Sequence, residues 1–218
     1  MTKCYFKAIC FMTIFFTLLT GHSFAGKYNP DTDIGDPAPQ WENLPGVDGK
    51  LHSLSDLKEK DFVVVVFTCN SCPVAEAYED RLISFAHQYT GPEKKVALVA
   101  INVNKIEEDS LEQMKVRAES KGFPFPYLYD ESQQVAKGFG AAFTPEFFVL
   151  DKERKIVYMG GMDDSSNPEK VENHFLEMAI QDLVNGKTPE VQETVAFGCL
   201  IRFERERRSR KPRSKTKD

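Results

Sequence analysis

Phe62-Val-Val-Val-Val-Phe67 is an unbroken apolar run, mostly β-branched and too short for a helix buried on all sides. It predicts a central strand covered on both faces. After Cys72-Pro73, the residues Val74, Tyr78, Leu82, Phe85 and Tyr89 recur at helical spacing, while Glu76, Asp80, Ser84 and Gln88 fall on another face. This is an amphipathic helix that begins beside two cysteines. Pro73 suits its first turn, where no amide hydrogen is needed, and Gly91-Pro92 ends it. Lys95 to Val103 predicts a second buried strand and Glu107 to Lys121 a second helix, closed by Gly122 and Pro124. Two such strands joined by a helix form a right-handed βαβ unit with parallel strands. Gln133 to Phe139 predicts a short helix. Phe147–Leu150 and Ile156–Gly160, separated by Asp151 to Arg154, have the pattern of a hairpin. Pro168 to Asn185 predicts a last helix, with Val171, Phe175, Met178 or Ala179, and Leu183 inward. Upstream, Asp48-Gly49 lies between Trp41–Val47 and Leu51–Leu54, a hairpin signal of the type I′ kind, in which both central residues have positive φ. Ser53 and Asp56 then have the spacing of a capping box. The order is hairpin, β, α, β, α, short α, β, β, α.

Composition narrows the class. The chain has 218 residues, 41% hydrophobic and 28% charged, enough for one domain with a real core, which excludes a disordered or polytopic membrane protein. Its formal charge of −5 is uneven, because residues 202–218 carry nine Lys and Arg against three acidic residues. The remainder is therefore strongly acidic, which argues against a nucleic-acid partner. At the other end, Lys3 and Lys7, the apolar run Ala8–Leu19 and Ser23-Phe24-Ala25 read as a secretory signal over residues 1–25. The run is shorter than the ~20 residues that span a bilayer, so an uncleaved anchor is the weaker reading. Residues 26–39, rich in proline, predict an extended and partly mobile lead-in, 40–203 the domain, and 204–218 a basic disordered tail. Membrane contact is expected only through that tail or an uncleaved signal. The expected location is outside the cytoplasm, in a periplasm or the extracellular space.

Cysteine carries the candidate chemistry. Cleavage after Ala25 would remove Cys4 and Cys10 and leave Cys69, Cys72 and Cys199. A domain of this size needs no disulfide staples. The odd number implies one couple and one thiol, with Cys69/Cys72 the natural couple. A thiolate is the reactive form, and Cys-x-x-Cys pairs at helix N-termini have pKa values of roughly 3.5–7.5 against ~8.5 for a free thiol. In Thr68-Cys69-Asn70-Ser71-Cys72-Pro73 the expectation is that Cys69 is exposed at the helix mouth and attacks a disulfide, while Cys72, one turn in and shielded, resolves the mixed disulfide. A four-cysteine zinc site lacks its second pair. No metal and no organic cofactor are implied, because the sulfurs carry the electrons. Cys199 has two readings: a small buried side chain, or a third redox thiol exchanging with Cys69. His52, His87 and His174 share no spacing and read as ordinary surface or core histidines. Glu76, Glu79 and Asp80 read as a solvated face that would partly oppose a thiolate at Cys69.

These residues resemble the thioredoxin-like proteins, and within them exported redoxins related to the alkyl hydroperoxide reductase and thiol-specific antioxidant family. The resemblance runs through Gly35-Asp-Pro-Ala-Pro39, Val47-Asp-Gly-Lys50, Thr68-Cys-Asn-Ser-Cys-Pro73 and Phe143-Thr-Pro-Glu-Phe-Phe-Val-Leu-Asp151. It implies an α/β thioredoxin-like fold, a central mixed β-sheet flanked by helices, here with an N-terminal hairpin extension. It also implies that Pro145 is cis and faces the cysteines, that Thr68, Thr144 and Pro145 form the substrate-binding surface, and that the backbone of Thr144 pairs with a substrate chain. The implied activity is thiol–disulfide exchange with protein or small-molecule disulfides, with a separate partner recycling the pair. Three departures stand out. Thioredoxins have Trp before the first cysteine and Gly-Pro between the two, where this chain has Thr68 and Asn70-Ser71. The buried acid of thioredoxins is replaced by Val63. Peroxiredoxins place a hydroxyl residue and a proline ahead of the peroxidatic cysteine, but Cys69 is preceded at those spacings by Val66 and Phe62, and Cys72 by Cys69 and Val65. A thiol peroxidase and a non-catalytic copper carrier or binding module of the same fold are the alternative readings.

Overall fold

The computed structural model describes residues 26–204. The predicted signal and all of the basic tail except Glu204 lie outside the described residues. In chain order the elements are β1 (Leu44–Pro45), β2 (Leu51–His52), β3 (Phe62–Phe67), α1 (Pro73–Tyr89), β4 (Val96–Asn102), α2 (Leu111–Lys121), β5 (Tyr127–Tyr129), α3 (Gln134–Gly138), β6 (Phe143–Thr144), β7 (Glu146–Leu150), β8 (Ile156–Gly160), α4 (Phe175–Val184) and β9 (Cys199–Leu200). The main sheet has five strands in the order β5-β4-β3-β7-β8. β3 runs parallel to β4 with Val65 opposite Val99, and antiparallel to β7 with Val65 opposite Phe148. β5 extends the parallel half and β8 the antiparallel half.

The apolar run of β3 is buried because each face meets a separate layer. Val63, Val65 and Phe67 pack with Trp41, Ile101, Phe139 and Phe148. Val64 and Val66 pack with Tyr78, Leu82 and Phe85 of α1, Met114 of α2, and Leu176 and Ile180 of α4. A fully buried aliphatic side chain contributes about 1.5–3 kcal/mol. The valines of β3, none of which is exposed, anchor both layers. This is the thioredoxin-like α/β architecture, with a mixed sheet between helices.

The structure departs from the sequence expectations in four places, each with a local cause. The helix expected over Glu107 to Lys121 is broken at Ser110, whose extended backbone caps α2 and whose hydroxyl accepts from the Gln113 amide at 3.4 Å. The acidic run before it forms a 3-10 turn that directs Asp109 inward. The last helix is likewise split. Residues Val171 to His174 separate a 3-10 turn from α4, and the buried residues are Leu176, Ala179 and Ile180, with Met178 exposed.

The β1–β2 loop is longer than the expected two-residue turn. The Gly49 amide donates to the Gly46 carbonyl, and only Gly49 of the Asp48-Gly49 pair has positive φ. The lead-in is tied down rather than loose: Gly35 and Ala38 donate to the carbonyls of Ile156 and Arg154, and Asp36 accepts from Ile156. Packing therefore begins well before Gln40.

Candidate active site

β3 delivers Thr68 to the end of the sheet, where its amide continues the ladder to the Ile101 carbonyl at 3.0 Å. The chain then turns through Cys69 to Cys72 and enters α1. Pro73 occupies the first turn, and Cys72 is the N-cap, its sulfur accepting from the Ala75 amide at 3.4 Å. The helix N-terminus therefore acts on Cys72, not on Cys69 as expected. Both thiols are enclosed, Cys69 at 4% and Cys72 at 1% exposure, so the expected contrast of an exposed and a shielded sulfur is reduced to a small difference. All three cysteines of the described residues are free thiols.

The two residues between the cysteines hold the turn in place. Asp109, wholly buried, accepts from the amides of Asn70 (2.7 Å) and Ser71 (3.0 Å), from the Ser71 hydroxyl (2.6 Å) and from Asn104 Nδ2 (3.1 Å). Asn70 also donates to the Glu108 carbonyl and accepts from the Tyr127 hydroxyl at 3.1 Å. The amides that would face a thiolate at Cys69 are thus engaged by a carboxylate. Sequence reading missed Asp109 because it took the residue as part of a helix. The Ser110–Gln113 capping spacing was the signal that would have started α2 one residue after Ser110 and released Asp109.

Electrostatics follow from this arrangement. The Cys72 thiol is drawn down to about 4, first because Cys69 hydrogen-bonds to it, and further by Cys199, Thr144 and the Ala75 amide. Cys69 is pushed up by the same shared hydrogen bond, by burial and by the negative charge of Asp109. The Asp109 carboxylate works against a thiolate at Cys69, which was expected to be the acidic thiol. Glu79, expected in solvent, is buried and clamped by Arg117 at 2.7 and 2.9 Å and by Lys121 at 3.2 Å, joining α1 to α2.

Thr144 touches all three cysteines. Its bond to Pro145 is cis. Its hydroxyl lies 3.6 Å from Cys69 Sγ and donates to the Cys199 carbonyl at 3.4 Å, and its carbonyl accepts from the Cys72 thiol at 3.1 Å. Its backbone edge, expected to be open to a substrate chain, is occupied: β6 pairs antiparallel with β9, Thr144 opposite Cys199. Gly198 permits this approach, because a Cβ there would run into the Thr144 carbonyl. Cys199 accordingly packs against Cys69 and Cys72. Among the described residues, no three His, Cys, Asp or Glu side chains converge so as to hold a metal ion.

Residues 34–159, more than half of the chain, match the AhpC/TSA family. The chain belongs to the AhpC/TSA family. Over 125 residues it is 29% identical to the thiol-disulfide oxidoreductase ResA of Geobacillus thermodenitrificans, covering 56% of this chain and 66% of that protein. An uncharacterized conserved protein from Geobacillus kaustophilus is 39% identical, with a TM-score of 0.73 over 79% of this chain and 93% of the other. A hypothetical protein from Sinorhizobium meliloti 1021 is 35% identical, with a TM-score of 0.74 over 79% of this chain and 96% of the other. Within this AhpC/TSA chain, Val63 lies in the core opposite Leu150, so no carboxylate occupies that position.

Proposed function

We propose that this AhpC/TSA-family chain is an exported thiol–disulfide oxidoreductase that exchanges electrons through Cys69 and Cys72. The single observation that carries the reading is a pair of free thiols packed together at the start of α1, both in contact with Thr144 of the cis-proline loop. The similarity to a thiol-disulfide oxidoreductase supports it. No helix among the described residues is long and apolar enough to cross a membrane. The proposed location, periplasmic or extracellular, rests on the predicted signal.

Cys69, the residue that leaves β3 first and is 4% exposed against 1% for Cys72, meets the substrate. Its Sγ gives up its proton and bonds to one substrate sulfur, and the other substrate sulfur leaves as a thiolate. The departing thiolate takes that proton. Cys72 then attacks Cys69 Sγ, forming the intramolecular disulfide and releasing the second substrate sulfur, which takes its proton from water. Two protein thiols are oxidised and one substrate disulfide becomes two thiols. The reverse sequence oxidises a dithiol, and the recycling partner sets the direction. Thr68, Thr144 and Pro145 would line the approach to Cys69.

Incubating reduced protein with a glutathione disulfide buffer and trapping free thiols tests the reading. A Cys69–Cys72 disulfide in equilibrium with the buffer, and mixed disulfides captured by Cys72→Ser but not by Cys69→Ser, are expected. A pair that resists every disulfide and dithiol would remove the assignment. Rapid thiol loss to hydrogen peroxide, beyond the rate of a free thiol, would favour the peroxidase reading instead. Tight copper binding by a pair that never exchanges would favour the carrier.

A further inference from the structure

We propose that Cys199 is a third exchange thiol, acting on Cys72 rather than Cys69, so that the disulfide moves from Cys69–Cys72 to Cys72–Cys199. The inference rests on the function proposed above, since the first disulfide must come from exchange with a substrate. Three observations converge on it. β9 lies antiparallel to β6 with Cys199 opposite Thr144, which fixes its main chain against the residue that contacts both other cysteines. The Cys199 side chain packs on Cys69 and Cys72, and Gly198 lets the strand approach that closely. Finally, Cys72 and Cys199 perturb each other's thiols, Cys199 pushed up by Cys72 and Cys72 drawn down in part by Cys199, while Cys69 is not among the groups that act on Cys199. Cys72 caps the helix N-terminus through Ala75, and Cys199 packs against the same cluster.

The step balances without an added oxidant. The Cys199 thiolate attacks Cys72 Sγ, the Cys72–Cys199 bond forms, the Cys69–Cys72 bond breaks, and Cys69 leaves as a thiolate. The Cys199 proton ends on Cys69, the thiol that burial and Asp109 keep protonated. No net oxidation occurs. Cys69 is restored in reduced form while the protein stays oxidised, and β9 becomes covalently fixed over Thr144.

The test uses the full chain. Wild type, Cys69→Ser, Cys72→Ser and Cys199→Ser are equilibrated in a glutathione disulfide buffer, quenched in acid, alkylated and mapped by peptide mass spectrometry. The inference expects a cross-link between the Cys199 peptide and the peptide holding Cys69 and Cys72. It should persist in Cys69→Ser and disappear from Cys72→Ser. Wild-type Cys199 should lose alkylation as the pair oxidises, while Cys199→Ser still forms Cys69–Cys72. Cys199→Ala repeats the last comparison if the serine variant does not fold. Wild-type Cys199 that stays fully alkylated while Cys69–Cys72 forms overturns this inference alone. A cross-link found in Cys72→Ser and absent from Cys69→Ser overturns it by placing Cys199 on Cys69. Absence of every disulfide overturns it together with the proposed function.

Discussion

Replacing Asp109 with Asn separates stability from reactivity, because the two effects have opposite signs. The carboxylate accepts four hydrogen bonds, from the Asn70 and Ser71 amides, the Ser71 hydroxyl and Asn104 Nδ2. Bonds to a charged group contribute about 1.5–3 kcal/mol each and neutral ones about 0.5–1.5. Removing the charge therefore weakens each by about 1 kcal/mol, and the new amide opposes the Asn104 donor outright. Relief from burying a charge offsets part of this. The net expectation is a loss of about 2–4 kcal/mol, larger than an average surface change. In the same variant Cys69 becomes more acidic, since Asp109 is one of the causes that push its thiol up. Urea unfolding followed through Trp41, the single and buried tryptophan, reads the first effect. Iodoacetamide modification of Cys69 as a function of pH reads the second. A variant as stable as wild type, or one whose Cys69 titrates no lower, would refute the account of Asp109 as the clamp on this turn.

Four further substitutions test the structure. In Cys69→Ala the sulfur that most lowers Cys72 is gone, so the thiolate absorbance of Cys72 should titrate well above that of wild type, towards the ordinary thiol value of 9.0. Cys72 is lowered on folding, so its ionisation stabilises the reduced protein fully above pH 9.0, and this contribution is lost as the pH falls towards about 4. Cys69 is raised on folding and acts in the opposite sense above pH 9.0. The stability advantage of reduced wild type over Cys72→Ala should accordingly grow from pH 4 to pH 9, and a flat difference in urea midpoints would contradict it.

Glu79→Ala leaves Arg117 with Glu76 as its remaining partner, at 2.9 Å. Losing one side of a largely buried pair that keeps a second carboxylate should cost about 1–3 kcal/mol in chemical unfolding, with no effect on disulfide exchange. Gly198→Ala forces a methyl group against the Thr144 carbonyl, so β9 should part from β6. Cys199 alkylation in the reduced protein should then become faster, and an unchanged rate would show that the strand does not protect it.

Much of the architecture was legible because local patterns report local physics. The apolar run of β3 could only be satisfied between two layers. Cys72-Pro73 followed by residues at helical spacing marked the start of α1, and Asp151 to Arg154 marked the β7–β8 hairpin. The errors arose where a local pattern had two solutions. The Glu107–Lys121 stretch is helical by periodicity, yet the Ser110 cap competes and wins, turning Asp109 inward. Glu79 lies on a polar face by spacing, but α2 packs across it and supplies Arg117 and Lys121.

By itself the sequence determined the strand and helix periods, the turn between Cys69 and Cys72, and the presence of two thiols near a helix start, since each depends on neighbours a few residues away. The tertiary structure alone decided which carboxylate meets the cysteine turn and which segment pairs with the Thr144 edge. Asp109 reaches the cysteine turn across 39 residues, and Cys199 reaches Thr144 across 55. Such contacts form when separate strands dock, and hydrophobic periodicity carries no information about which edges will meet.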